Sequence, residues 1–158
     1  MDQMIATISP SPARRVLAIS ILFSLGGLLI YLALARPPSA FIWQAFLLLT
    51  GGLVLWLADQ LRRATALTIE LSDGRIVDSS GRELCRLDEI RSIERGAFAF
   101  KPSNGFLLHL KNRKPRVWAP GLWWRMGRRV GVGGVTSASQ TKFMSEMISY
   151  QLRDNPPD

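Results

Sequence analysis

Side chains able to make or break bonds are few and scattered in this sequence. It holds one histidine, His109, and one cysteine, Cys85. No Cys/His metal cluster and no internal disulfide can therefore form. His109 alternates with Leu108 and Leu110, which places it on the outer face of a strand. Cys85, between Leu84 and Arg86, reads as a core or strand residue rather than a nucleophile. Asp88, Glu89 and Glu94 could cluster, but a turn and an exposed strand face account for them. The serines occupy turn-like stretches without a nucleophile elbow. Gly131-Val132-Gly133-Gly134 precedes a helix start but lacks the lysine-threonine of a phosphate loop and the spacing of a dinucleotide fingerprint. It reads as a connector, the alternative being a phosphate held by Arg128, Arg129 and the helix N-terminus. No enzyme activity, metal or organic cofactor is expected.

Binding chemistry is better represented. In Gly121-Leu122-Trp123-Trp124-Arg125-Met126-Gly127-Arg128-Arg129, two adjacent tryptophans cannot both face one small core if the segment is a strand. At least one is expected at a surface. Trp beside Arg suits insertion into a lipid headgroup layer and equally a protein hot spot. The third possibility is that one Trp packs under a helix while the arginines are solvated. Trp123, Trp124, Arg125, Arg128 and Arg129 are the candidate contact residues, with Lys101 and Lys114 as outlying charges. The charge distribution points the same way. Seven acidic and four basic residues lie between Glu70 and Glu94, whereas Arg95 to Lys142 holds ten basic residues and no acidic one. That basic half suits a negative surface. The aromatics cluster in one stretch instead of spreading over a sheet as in base-stacking modules, so no nucleic-acid partner is expected.

The elements that carry these residues begin with two oily segments. Val16 to Ala35 is twenty residues without a charge, and Phe41 to Ala58 is eighteen more. Neither keeps a polar face, and twenty residues of helix match a hydrocarbon core of about 30 Å. A transmembrane hairpin is expected over 14–63, with spans about 16–35 and 41–58. The small-residue run Ala33-Leu34-Ala35 resembles a signal cleavage site, but the apolar run exceeds a signal h-region and a second span follows at once. Arg14 and Arg15 before the first span and Arg62 and Arg63 after the second put both termini in the cytoplasm by the positive-inside rule. Gly26, Gly27, Gly51 and Gly52 are the small residues through which helices could approach, either within the hairpin or against another membrane protein. The spans contain no acid, lysine or histidine to carry an ion or proton path.

Residues 1–13 read as a flexible tail. From 64 to 153 the pattern is short alternating segments broken by turns. Leu67, Ile69 and Leu71 alternate with polar residues ahead of an Asp73-Gly74 hairpin turn into Ile76-Val77. Ser79-Ser80-Gly81 turns into Glu83–Leu87, and a further strand runs from Ile90 towards Phe98. Phe106–Lys111 and Pro115–Trp118 follow, separated by a turn at Asn112-Arg113-Lys114, with a last strand near Arg128–Val132. A helix with Ser137/Gln140 capping-box spacing closes the chain. Its apolar face is expected to hold Phe143, Met144, Met147, Ile148 and Leu152. Residues 154–158 form a C-terminal tail.

Two spans, a hydrophobic-Asp-Gly-hydrophobic hairpin (Ile69 to Val77), the segment Leu87-Asp88-Glu89-Ile90-Arg91-Ser92-Ile93-Glu94 and a final helix together resemble small bacterial membrane proteins with a pleckstrin-homology-like (PH-like) domain. The resemblance implies an α+β membrane protein. A two-helix hairpin would be followed by a small bent antiparallel sheet or barrel, capped by the C-terminal amphipathic helix and lying in the cytoplasm. The expected function is a non-enzymatic protein of the bacterial inner (plasma) membrane, multi-pass, docking on a larger membrane protein complex as an accessory or assembly subunit. The alternative is a module that binds anionic lipid headgroups through the Trp/Arg loop. Expected partners are therefore membrane lipids and an integral membrane protein or a second copy of the chain.

Overall fold

A computed structural model describes residues 4–96 and 102–154. The chain divides into two compact units, Pro12–Arg63 and the flanking residues that come before and after it.

The first unit is a helical hairpin, α1 (Pro12–Ala35) and α2 (Phe41–Ala64). Pro12 opens α1 at the position where a missing N–H costs nothing. Both helices are long and apolar enough to cross a membrane, and large side chains such as Leu17, Ile21, Phe41 and Leu49 point outward from them. The glycine pairs divide their labour. A Cβ on Gly26 would lie 2.7 Å from Leu55 Cδ2 and 3.1 Å from the Gly51 oxygen, and one on Gly51 would lie 2.8 Å from Ile30 Cγ1 and 3.1 Å from the Gly26 oxygen. Those two let the backbones touch. Gly27 and Gly52 have nothing within 4 Å, so within the hairpin the close approach is made by Gly26 and Gly51.

The second unit is α+β: two antiparallel sheets and one helix. β1 (Met4–Ile8), β2 (Ile69–Ser72), β3 (Arg75–Asp78) and β4 (Glu83–Arg86) form one sheet in that order. β5 (Ile90–Glu94), β6 (Phe106–Ala119) and β7 (Trp123–Val132) form the other, and α3 spans Ala138–Asp154. The Asp73-Gly74 turn is present, with positive φ of 44° and 72° as the tight hairpin types require. It sets the register Leu71↔Ile76 and Ile69↔Asp78. The core comprises Ile69, Leu71, Ile76 and Leu84 from the first sheet, Ile90, Phe106, Leu108, Trp123 and Val130 from the second, and Met144 and Ile148 from α3.

The largest correction concerns the N-terminus. Within residues 1–13, Met4–Ile8 is not a tail but strand β1, paired antiparallel with β2 (Ile8↔Ile69, Thr7↔Glu70). Its alternation of Ala6 and Ile8 inward is short and precedes a helix instead of a hairpin turn, which hid it. The following residues are tied down as well: Ser11 N donates to the Val135 oxygen (2.7 Å), and Ser9 donates both its amide (2.8 Å) and its hydroxyl (3.0 Å) to Gln140 Oε1. Gln140 is thereby used on Ser9, and the Ser137 amide donates to the Ser9 oxygen in place of a capping box. On α3, Phe143 is half exposed while Thr141, Met144, Ser145 and Ile148 face inward. Of the expected apolar face, Met144 and Ile148 are in the core and Met147 and Leu152 pack against it; only Phe143 departs, and Thr141 and Ser145, their hydroxyls bonded to backbone oxygens, widen the buried stripe.

Candidate functional site

The expected turn at residues 112–114 is not formed; β6 runs on to Ala119 and turns back into β7, with Leu122 N donating to the Ala119 oxygen (3.1 Å). The two tryptophans and their arginines therefore lie on a strand, not on a loop. β5 pairs only with Leu107–Leu110 of β6, so the distal half of β6–β7 is a two-stranded ribbon. Pro115 sits there, where β6 has a strand neighbour on one side only, as a proline in a sheet should. The register slips on both sides of Lys114↔Gly127, and Gly127 has φ of 59°. Such irregularities bend and coil a ribbon.

Side chains alternate across this ribbon. Trp123 is buried (1% exposed) and Arg125 nearly so (9%), while Trp124 is half-buried, Met126 is 50% exposed, and Arg128 and Arg129 are exposed. Trp123 Nε1 donates to Asp78 Oδ2 (3.3 Å), and the Arg82 and Arg125 guanidinium carbons lie 5.8 and 5.9 Å from its ring centroid. Arg125 donates from Nε to the Pro115 oxygen (2.8 Å) and from Nη1 to the oxygens of Glu83 and Leu84 (2.9 Å each). It thus clamps β7 to β4, a strand of the other sheet. Asp78 also accepts from Ser80 and from the Arg82 amide and Nε. Burial pushes its pKa up, but these donors prevail and hold it below the ordinary carboxylate value.

Trp123 and Arg125 are therefore structural residues, and their expected contact role is corrected. Lys114 is likewise occupied, with its ammonium 3.2 Å from Glu83 and 2.6 Å from Glu89. Burial works to lower its pKa, and the two carboxylates outweigh that and raise it. Lys101 lies outside the described residues. The other chemistry-bearing groups are quiet. Burial pushes the Cys85 thiol up to about 12, far from a reactive thiolate. His109 pairs with Glu94 (2.9 Å) on the sheet face. In the glycine run, Gly133 N donates to the Leu122 oxygen (2.9 Å) and Gly134 N to the Ser103 oxygen (2.7 Å). Those amides serve the fold, and a Cβ on Gly134 would strike Gly121. No group of three His, Cys, Asp or Glu able to hold a metal occurs among the described residues.

The outer face of the ribbon carries a groove of about 1040 Å³. Val117, Trp118, Trp124 and Met126 give it an apolar lining; Arg113, Arg116, Arg128 and Arg129 supply its charge. None of the residues lining it is acidic. Trp118 and Trp124 are direct cross-strand partners, and the Trp124 indole lies over Gly131, where any Cβ would run into the ring. Of the expected contact residues, the fold brings Trp124, Arg128 and Arg129 together here. Trp118, Met126, Arg113 and Arg116 were not anticipated. Their signal was available in the positions of Trp118 and Trp124, symmetric about a turn at Pro120-Gly121, once the hairpin is closed there and not at residues 112–114.

Compared with models of known protein families, with curated proteins and with solved structures, the chain matches none.

Proposed function

We propose that this protein is a non-enzymatic module of the bacterial inner membrane that recognises anionic lipid headgroups through the β6–β7 groove of a cytoplasmic PH-like domain. The observation that carries the reading is the groove itself. Four arginines stand around an apolar lining, and none of the four has an ion pair or side-chain hydrogen bond among the described residues. Guanidinium groups beside tryptophan match phosphate oxygens above acyl chain. Two antiparallel sheets closed by a C-terminal helix support the PH-like reading. Anchoring is supported by connectivity. The hairpin is inserted between β1 and β2, and those strands pair, so both ends of a membrane-crossing hairpin must emerge on one side. Arg14 and Arg15 at one end and Arg62 and Arg63 at the other support the cytoplasm as that side, by the positive-inside rule.

The test is hydrogen exchange on the full-length protein in nanodiscs of phosphatidylcholine alone and of phosphatidylcholine mixed with an anionic phospholipid. Selective protection of residues 113–129 in the anionic discs is the expected result. Unchanged exchange there would sink the lipid reading. A stoichiometric membrane complex recovered in mild detergent, and lost on Trp124→Ala, would instead establish an accessory or assembly subunit docking by the same face.

A further inference from the structure

We infer that the groove is built for one lipid molecule bearing two phosphate groups, not for a general anionic surface; this rests on the lipid reading above. β6 contributes Arg113 and Arg116, and β7 contributes Arg128 and Arg129. A guanidinium binds phosphate through a planar fork, and two forks saturate the oxygens that a phosphodiester leaves free. Four forks around one groove therefore accommodate two phosphates, whereas a single phosphodiester leaves two of the four like charges unneutralised and repelling. The lining residues offer no carboxylate that would relieve this repulsion. The volume, about 1040 Å³, is that of a pocket for one sizeable ligand. A flat leaflet would leave such a concavity unfilled. The lining then specifies the rest of the molecule. Trp118 is 53% and Met126 50% exposed, an apolar strip that a free diphosphate cannot cover and an acyl chain can. Gly131 has a part in this, since a Cβ there would run into the Trp124 indole and only glycine admits the ring where it lies.

The experiment is native mass spectrometry of the full-length protein in neutral detergent. The probes are cardiolipin, with two phosphates, phosphatidylglycerol, with one, and inorganic pyrophosphate. The expected result is one cardiolipin retained about tenfold more tightly than phosphatidylglycerol. That preference is lost in Arg116→Gln with Arg128→Gln and weakened in Trp124→Ala, while pyrophosphate fails to compete at equal concentration. Equal retention of both lipids, or a preference the variants leave intact, overturns the one-lipid site; the broader lipid reading survives if anionic nanodiscs still protect residues 113–129. Full displacement by pyrophosphate also overturns it, because the apolar strip would then take no part. Absence of both retention and protection removes the lipid reading as well.

Discussion

The two faces of the β6–β7 ribbon use the same residue types for opposite ends. On the inner face Trp123 is enclosed, its N–H spent on Asp78, and Arg125 is spent on three backbone oxygens. On the outer face, one residue along, Trp124 lies half open beside Arg128 and Arg129. Neither composition nor charge separates Trp123 from Trp124, or Arg125 from Arg128. Position on a two-residue period does, because successive strand side chains point to opposite faces. A basic, tryptophan-rich stretch is thus part core clamp and part open groove wall, and averaging over it obscures both.

The largest effect that would break this comparison is expected at Trp123. Trp123→Ala should cost about 3–5 kcal/mol through the lost burial and the cavity left behind, and it should leave Asp78 short of a donor. Chemical denaturation of the detergent-solubilised protein, followed by near-ultraviolet circular dichroism, measures it. A cost as small as that of Trp124→Ala would show that the faces are not distinct. Next comes Arg125→Met, which strands the buried oxygen of Leu84 and the part-buried one of Glu83 and should cost about 2–3 kcal/mol. Arg125→Lys should recover only part, since an ammonium does not reproduce the planar fork. Asp78 sharpens the contrast through pH. Its folded pKa is depressed, so the unfolded chain takes up the proton first. The stability it contributes is present above the ordinary carboxylate value and is lost as pH falls through the folded one. Denaturation midpoints should therefore decline below about pH 4, and Asp78→Asn should flatten that decline. The smallest effect belongs to the outer face. Arg128→Gln with Arg129→Gln should change stability by no more than about 0.5 kcal/mol while reducing protection of the ribbon in anionic nanodiscs.

Much of this arrangement was legible in the sequence, for identifiable reasons. The two apolar helices follow from uninterrupted hydrophobicity. The Asp73-Gly74 hairpin follows from residues that tolerate positive φ. The argument that two neighbouring tryptophans cannot share one core holds, with Trp123 inside and Trp124 on the other face. What escaped was long-range. β1 has only a few residues of alternation, and its partner lies beyond the whole hairpin. Lys114 looked like a free charge because Glu83 and Glu89 come near it only through the fold. Asn112-Arg113-Lys114-Pro115 carries a strong turn signal, and the register slip in β6 absorbs it without reversing the chain. That one misplaced turn concealed the pairing of Trp118 with Trp124, and with it half of the groove.

The insertion of the helical hairpin between β1 and β2 also sets a schedule for synthesis. Ile8 and its partner Ile69 are about sixty residues apart, which at roughly 5–20 residues per second means β1 waits several seconds for its neighbour. During that interval both helices emerge from the ribosome. Until Ile69 and Leu71 follow them, Ala6 and Ile8 have no strand to pair with and stay without their cover. Closure of this sheet is therefore a late, long-range event, in which the segments on either side of a complete helical hairpin must find each other.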